Sequence, residues 1–114
     1  MNSQLRFLVI DDDDLMLHQV KVALSRVGFE KVETINDGRV ALYKVQNEKP
    51  FDIILLDLNM PNMDGVEVMR KLASMDYSGA LALFSGEDER ILKAAESLAS
   101  AHNLNVIGTL SKPL

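Results

Sequence analysis

The sequence predicts one α/β domain built on an open, doubly wound, five-stranded parallel sheet. Three observations carry this. Short apolar blocks alternate with segments of helical period in the order β-α-β-α-β-α-β-α-β, which calls for parallel strands joined by right-handed crossovers. The blocks are apolar nearly throughout, as strands covered on both faces must be. Two of them run into aspartate: Phe7 to Ile10 precedes Asp11 to Asp14, and Ile53 to Leu56 precedes Asp57.

The first strand is expected over Leu5 to Ile10. Leu17, Val20, Leu24 and Val27 recur at helical spacing, giving a helix from about Leu15 to Val27 that stops at Gly28, with Asp14 as its cap and Asp13 as a solvated loop acid. A short strand, Lys31 to Ile35, leads to the turn Asn36-Asp37-Gly38. A second helix spans Val40 to Gln46 and ends before Pro50, and the third strand is Ile53 to Leu56. After the loop Leu58 to Gly65, where Asp64-Gly65 reads as a turn and helix start, Val66, Met69, Leu72 and Ala73 mark a third helix. Ala80 to Phe84 is the fourth strand. Glu87 to His102 is a long fourth helix with an inner stripe of Ile91, Ala95, Leu98 and His102, and Val106 to Leu110 is the fifth strand. The chain stops at Lys112-Pro113-Leu114, where such a sheet normally continues into a helix. The expectation is therefore a piece of a longer protein, with apolar sheet surface left bare near the first helix that favours self-association or swapping, a homodimer being one such form.

Composition excludes several classes of function. With 114 residues, 47% hydrophobic and 25% charged, the chain is one soluble globular domain. A net charge of −5 argues against nucleic acid and anionic membranes as partners. No apolar run reaches membrane length, and with no cysteine there is neither a disulfide nor a thiolate metal site. A cytoplasmic location is expected. His18 and His102 lack a zinc-type partner pattern; His18 reads as exposed, and His102 as packing against or capping its helix end. The six methionines read as gap-filling core, except Met60 and Met63 in the loop after Asp57.

In a doubly wound sheet, ligands bind beyond the carboxyl ends of the strands. Those ends offer Asp11 and Asp12 after strand one, Asp57 after strand three, Ser85 after strand four and Lys112 after strand five. Three carboxylates at one crevice repel one another unless a divalent cation or a phosphoryl group is their purpose. Magnesium takes carboxylates, carbonyls and waters and bridges to phosphate oxygens, while a hydroxyl and an ammonium stabilise the other oxygens of a phosphoryl group. The chemistry suggested is magnesium-assisted phosphoryl transfer to a carboxylate. Taken alone, Ser85 is a strand-end hydroxyl and Lys112 a surface charge; their functional reading depends on Asp57.

Four pieces in order along the chain, FLVIDD (Phe7 to Asp12), DLNMPNMDG (Asp57 to Gly65), LFSGE (Leu83 to Glu87) and SKP (Ser111 to Pro113), resemble the receiver domain of two-component response regulators over the whole of residues 1–114. The resemblance implies strand order 2-1-3-4-5, a flavodoxin-like arrangement. It makes Asp57 the phosphoacceptor. Asp12, Asp57 and the Asn59 carbonyl would bind Mg2+ directly, with Asp11 acting mainly through water. Ser85 would be the switch hydroxyl, and Lys112 the phosphoryl contact with a cis Lys112-Pro113 bond. Asn59 and Glu87 would tune dephosphorylation. It implies a sensor histidine kinase or phosphotransfer protein as partner and a covalently attached output domain, the receiver itself not being an enzyme.

Two departures stand out. Thr109 occupies the position where the family often carries an aromatic switch residue. Residues 86–111 separate Ser85 from Lys112, a longer span than usual, and the stretch AAESLASAHNLNVIGTLSKPL resembles receivers fused to EAL-type cyclic-di-GMP phosphodiesterases. Two other readings compete. Asp11-Asp12-Asp13, a later hydroxyl and a lysine also suit a magnesium-dependent phosphatase of haloacid dehalogenase type, but that leaves DLNMPNMDG unexplained. A docking receiver that is never phosphorylated would not need the full set of acids, Ser85 and Lys112.

Overall fold

A computed structural model of the chain describes residues 4–59, 65–85 and 89–111, with the backbone alone at 85, 89, 91 and 111. Among these residues, five strands alternate with four helices: β1 (Phe7–Ile10), α1 (Asp14–Arg26), β2 (Val32–Ile35), α2 (Gly38–Asn47), β3 (Ile53–Asp57), α3 (Gly65–Ser74), β4 (Ala80–Ser85), α4 (Glu89–Ala101) and β5 (Asn105–Ser111). The sheet is parallel throughout in the order β2-β1-β3-β4-β5. Chain order reverses between β1 and β3, so these two strands lie side by side, with Ile10 opposite Leu56.

The period of two along each strand sorts its side chains between two cores. Leu8, Ile10, Ile54, Leu56, Leu81 and Leu83 face α2, α3 and α4, where Leu42, Val68, Met69, Leu72, Leu92, Ala95 and Ala99 meet them. Phe7, Val9 and Phe84 face the other way, toward Met16, Leu17 and Val20 of α1. There the Phe29 ring packs on Phe7 at 4.9 Å and 50°. Among the described residues α1 is the one helix on that side. Ile53 and Leu55 are only partly buried there, and Leu110, paired with Phe84, is 47% exposed.

Local chemistry fixes the helix ends. Asp13, in extended backbone, caps α1 by accepting from the Leu15 and Met16 N–H groups; Asp37 does the same for Arg39 and Val40 at α2. The cap of α1 is thus Asp13 and not Asp14. Asp14 has helical backbone already, and its carboxylate accepts from Asn36 Nδ2 at 3.1 Å instead. Helices α1, α3 and α4 all close by one pattern, in which a left-handed residue lets two N–H groups turn back onto the last turn. Gly28 (φ 98), Asp76 (φ 56) and Asn103 (φ 62) hold that position, with Phe29, Tyr77 and Leu104 donating back to Leu24, Leu72 and Ala99. The inner stripe of α4 also differs from the sequence reading. Leu92, Ala95 and Ala99 are buried, Leu98 is partly buried, His102 lies exposed just beyond the helix, and the Ile91 side chain lies outside the described residues. His18 is exposed, as expected.

Candidate functional site

The site grows from the adjacency of β1 and β3. Each strand ends where its apolar side chains run out, and Asp11 and Asp57 follow directly beyond the paired Ile10 and Leu56 or at that end. One carboxylate oxygen from each of Asp11, Asp12 and Asp57 lies within 4.8 Å of the others. Asp11 and Asp57 are almost fully buried, at 0% and 1% exposure, whereas Asp12 faces solvent. At an effective dielectric of about 20, two ionised carboxylates at this spacing repel by roughly 3 kcal/mol. An all-oxygen, all-anionic donor set of this kind suits a hard divalent cation, with the exposed Asp12 side open to water and phosphate oxygens.

The main chain orients both buried acids. The Asp13 N–H donates to Asp11 Oδ1 at 2.9 Å, and the Asn59 N–H donates to Asp57 Oδ1 at 3.2 Å. Asp13 therefore acts twice, holding Asp11 with its backbone while its side chain caps α1. Behind Asp57, the Leu58 N–H donates to Phe84 O at 3.0 Å and the Gly65 N–H to Leu58 O at 3.0 Å, tying the end of β3 to β4 and α3. Gly65 is required by space: a Cβ there would stand 2.5 Å from Leu58 Cα and 2.7 Å from Asp57 O. Sequence reasoning gave Gly65 only a turn role, because the contact that excludes a side chain is tertiary.

Of the other expected site residues, Ser85 closes β4, where its backbone pairs with Ser111, and its side chain lies outside the described residues. So do Lys112, Glu87, Met60, Met63 and Asp64. Asn59 is exposed beside Asp57. Thr109, opposite Leu83 on β5, is exposed. Histidine plays no part in the acidic cluster.

The sequence profile of the response regulator receiver domain matches residues 7–114. The chain belongs to the response regulator receiver family. This receiver is 33% identical, over 77% of its length, to an alkaline phosphatase synthesis transcriptional regulatory protein of Bacillus subtilis, covering 36% of that protein. It is 32% identical over 96% of its length to a protein-glutamate methylesterase/protein-glutamine glutaminase of Archaeoglobus fulgidus, covering 30% of it. The receiver thus spans about a third of these relatives. Among solved structures, a response regulator from Colwellia psychrerythraea superposes with a TM-score of 0.84 at 40% identity, over 96% of this chain and 86% of that one. Two-component signalling is therefore the setting of this domain. No helix among the described residues is long and apolar enough to cross a membrane.

Proposed function

We propose that this receiver accepts a phosphoryl group on Asp57. The observation that carries the reading is a carboxylate buried at the end of a central strand, with two further carboxylates within 4.8 Å. A phosphohistidine of a sensor kinase or phosphotransfer protein is the donor. A carboxylate oxygen of Asp57 forms the new O–P bond as the P–N bond breaks, and the imidazole nitrogen keeps the electron pair. Mg2+ would be held by Asp12, Asp57 and the Asn59 carbonyl, with Asp11 acting through water, and it would supply charge neutralisation of the phosphoryl oxygens. Ser85 and Lys112 take the remaining phosphoryl oxygens, and Asn59 and Glu87 tune hydrolysis of the acyl phosphate. Phosphorylation then shifts the population of a conformer that partners read.

In this reading the domain is not itself an enzyme, and residues 1–114 are the N-terminal module of a longer cytoplasmic protein with an attached output domain. The greater length of the relatives supports that. An EAL-type output is the form that residues 94–114 suggest. The test is intact mass after incubation with Mg2+ and a small phosphodonor. A labile single-phosphate adduct is expected for wild type and absent for Asp57→Asn. An adduct that survives Asp57→Asn but is lost in Asp11→Asn would transfer the nucleophile to Asp11, as in a haloacid dehalogenase. No adduct on a protein that binds Mg2+ would leave a docking receiver.

A further inference from the structure

The segment Asp11–Asp14 supplies two of the three clustered carboxylates, and the end of β2 grips it at both ends. The Asp11 N–H donates to Ile35 O at 3.2 Å, extending the ladder between β1 and β2. Three residues on, Asp14 Oδ1 accepts from Asn36 Nδ2 at 3.1 Å. Ile35 and Asn36 are consecutive, so one short stretch of chain brackets the whole segment. Neither member of the side-chain pair is taken up by its own helix. Asp13 caps α1 and Asp37 caps α2, which leaves Asp14 and Asn36 to tie one loop to the other. Within the bracket, Asp11 is held by the Asp13 N–H. Asp12 is held by no such contact: it is exposed, and among the described residues its carboxylate makes no hydrogen bond or ion pair. One of its oxygens nonetheless stands within 4.8 Å of oxygens of Asp11 and Asp57. The backbone on either side sets its place.

We propose that Asn36 is a positioning residue for the cation site. By holding Asp14 against the turn between β2 and α2, it fixes the segment that presents Asp12. The inference rests on the reading of the acidic cluster as a Mg2+ site. Repulsion from Asp11 and Asp57 drives the Asp12 carboxylate outward into water, and a loop tied at both ends resists that drift. Mg2+ demands near-ideal octahedral geometry, so it tolerates little error in where its carboxylates stand. A residue that orients a ligand therefore changes affinity without touching the ion.

The test is Mg2+ titration calorimetry at moderate salt on wild type, Asn36→Ala, Asn36→Asp and the swap Asp14→Asn/Asn36→Asp. The urea midpoint of each cation-free protein is measured alongside. Asn36→Asp decides between a field effect and positioning. A negative charge added beside the acidic segment would by its field alone tighten Mg2+ binding. Loss of positioning weakens it, because two carboxylates now face each other where a hydrogen bond stood. The expected losses of affinity are about fivefold for Asn36→Ala and about tenfold for Asn36→Asp. The swap restores a donor opposite an acceptor at unchanged net charge, and should return to within about twofold of wild type. Asn36→Asp binding Mg2+ as tightly as wild type, or more tightly, would overturn the inference. So would a swap no better than Asn36→Asp alone, or affinities that merely follow the urea midpoints. A wild type that binds no Mg2+ would instead remove the reading of the cluster itself, and the inference with it.

Discussion

The two ends of the sheet treat charge in opposite ways. At the carboxyl end, Asp11 and Asp57 are buried with Asp12 beside them. At the amino end, opposite signs alternate: Arg6 and Lys44 share Glu33, Lys44 also pairs with Glu48 at 3.0 Å, and all four side chains keep partial contact with solvent. Arg6 further lies over the Phe51 ring at 4.5 Å, and the Asp52 carboxylate accepts from its backbone N–H. The amino end is arranged to lower the free energy of folding by small amounts. The crowded carboxylates of the carboxyl end oppose folding through their mutual repulsion, and a cation bound there would offset it. A fold can place an unfavourable cluster where the connecting loops are free to serve a ligand, provided the opposite end closes the chain reversals cleanly.

The contrast breaks most directly at Gly65. Gly65→Val drives a branched side chain into Leu58 and the Asp57 carbonyl. Overpacking of this kind costs about 1–3 kcal/mol, read as a lower urea midpoint, and Mg2+ stabilisation should fall with it because Asp57 is displaced. Asp11→Asn should do the reverse for the ligand-free protein. Removing one of three crowded charges raises its melting temperature, by the equivalent of about 1 kcal/mol. The same substitution should shrink the stabilisation that saturating Mg2+ gives wild type. A wild-type melting temperature that Mg2+ leaves unchanged would refute the idea that the carboxyl end is held in reserve for a cation.

Asp13→Ala sharpens the comparison by separating the two roles of one residue. The lost cap should cost about 1 kcal/mol in urea unfolding. Mg2+ affinity should change little, because the N–H that holds Asp11 remains. The smallest effect belongs to the amino end. The hydrogen bond from Lys44, and then Arg6, holds the Glu33 carboxyl below its ordinary 4.5 despite some burial. A lowered folded value means a stability contribution present above about pH 4.5 and lost as pH falls through the folded value. Glu33→Gln should therefore cost under about 1 kcal/mol at neutral pH and flatten the acid limb of the stability profile. Lys44, raised by Glu33 and then Glu48, works with the opposite sign: its share persists at neutral pH and is lost as pH rises through its folded value.

What the sequence showed and what it hid follow from the range of the forces involved. Strand and helix order were legible because periods of two and 3.6 are local. The meeting of Asp11 with Asp57 was legible through the family resemblance, which implied the strand order that brings those two ends together. The phase of α4 was not: Ile91 adjoins Leu92 and Leu98 adjoins Ala99, so two stripes fit the same letters. Packing buries Leu92, Ala95 and Ala99 in the core, with Leu98 partly buried beside them. Likewise Asp13 and Asp14 are equal as capping residues on paper, and Asn36, contributed by another loop, separates them by engaging Asp14.

The chain has two tyrosines and no tryptophan, and that gives the amino end an optical voice the carboxyl end lacks. Tyr43 is largely exposed. The Tyr77 hydroxyl donates to the carbonyls of Phe51 and Ala80, at 3.2 and 3.0 Å, joining the starts of β3 and β4, and burial holds its phenol above the ordinary value. Asp57 lies at the far end of β3, four residue rises or about 13 Å away along the strand. Intrinsic emission will accordingly follow the opening of the β3–β4 start and stay nearly silent when a cation or phosphoryl group arrives, so folding and signalling can be watched in one sample through two independent channels, one native and one added at the acidic end.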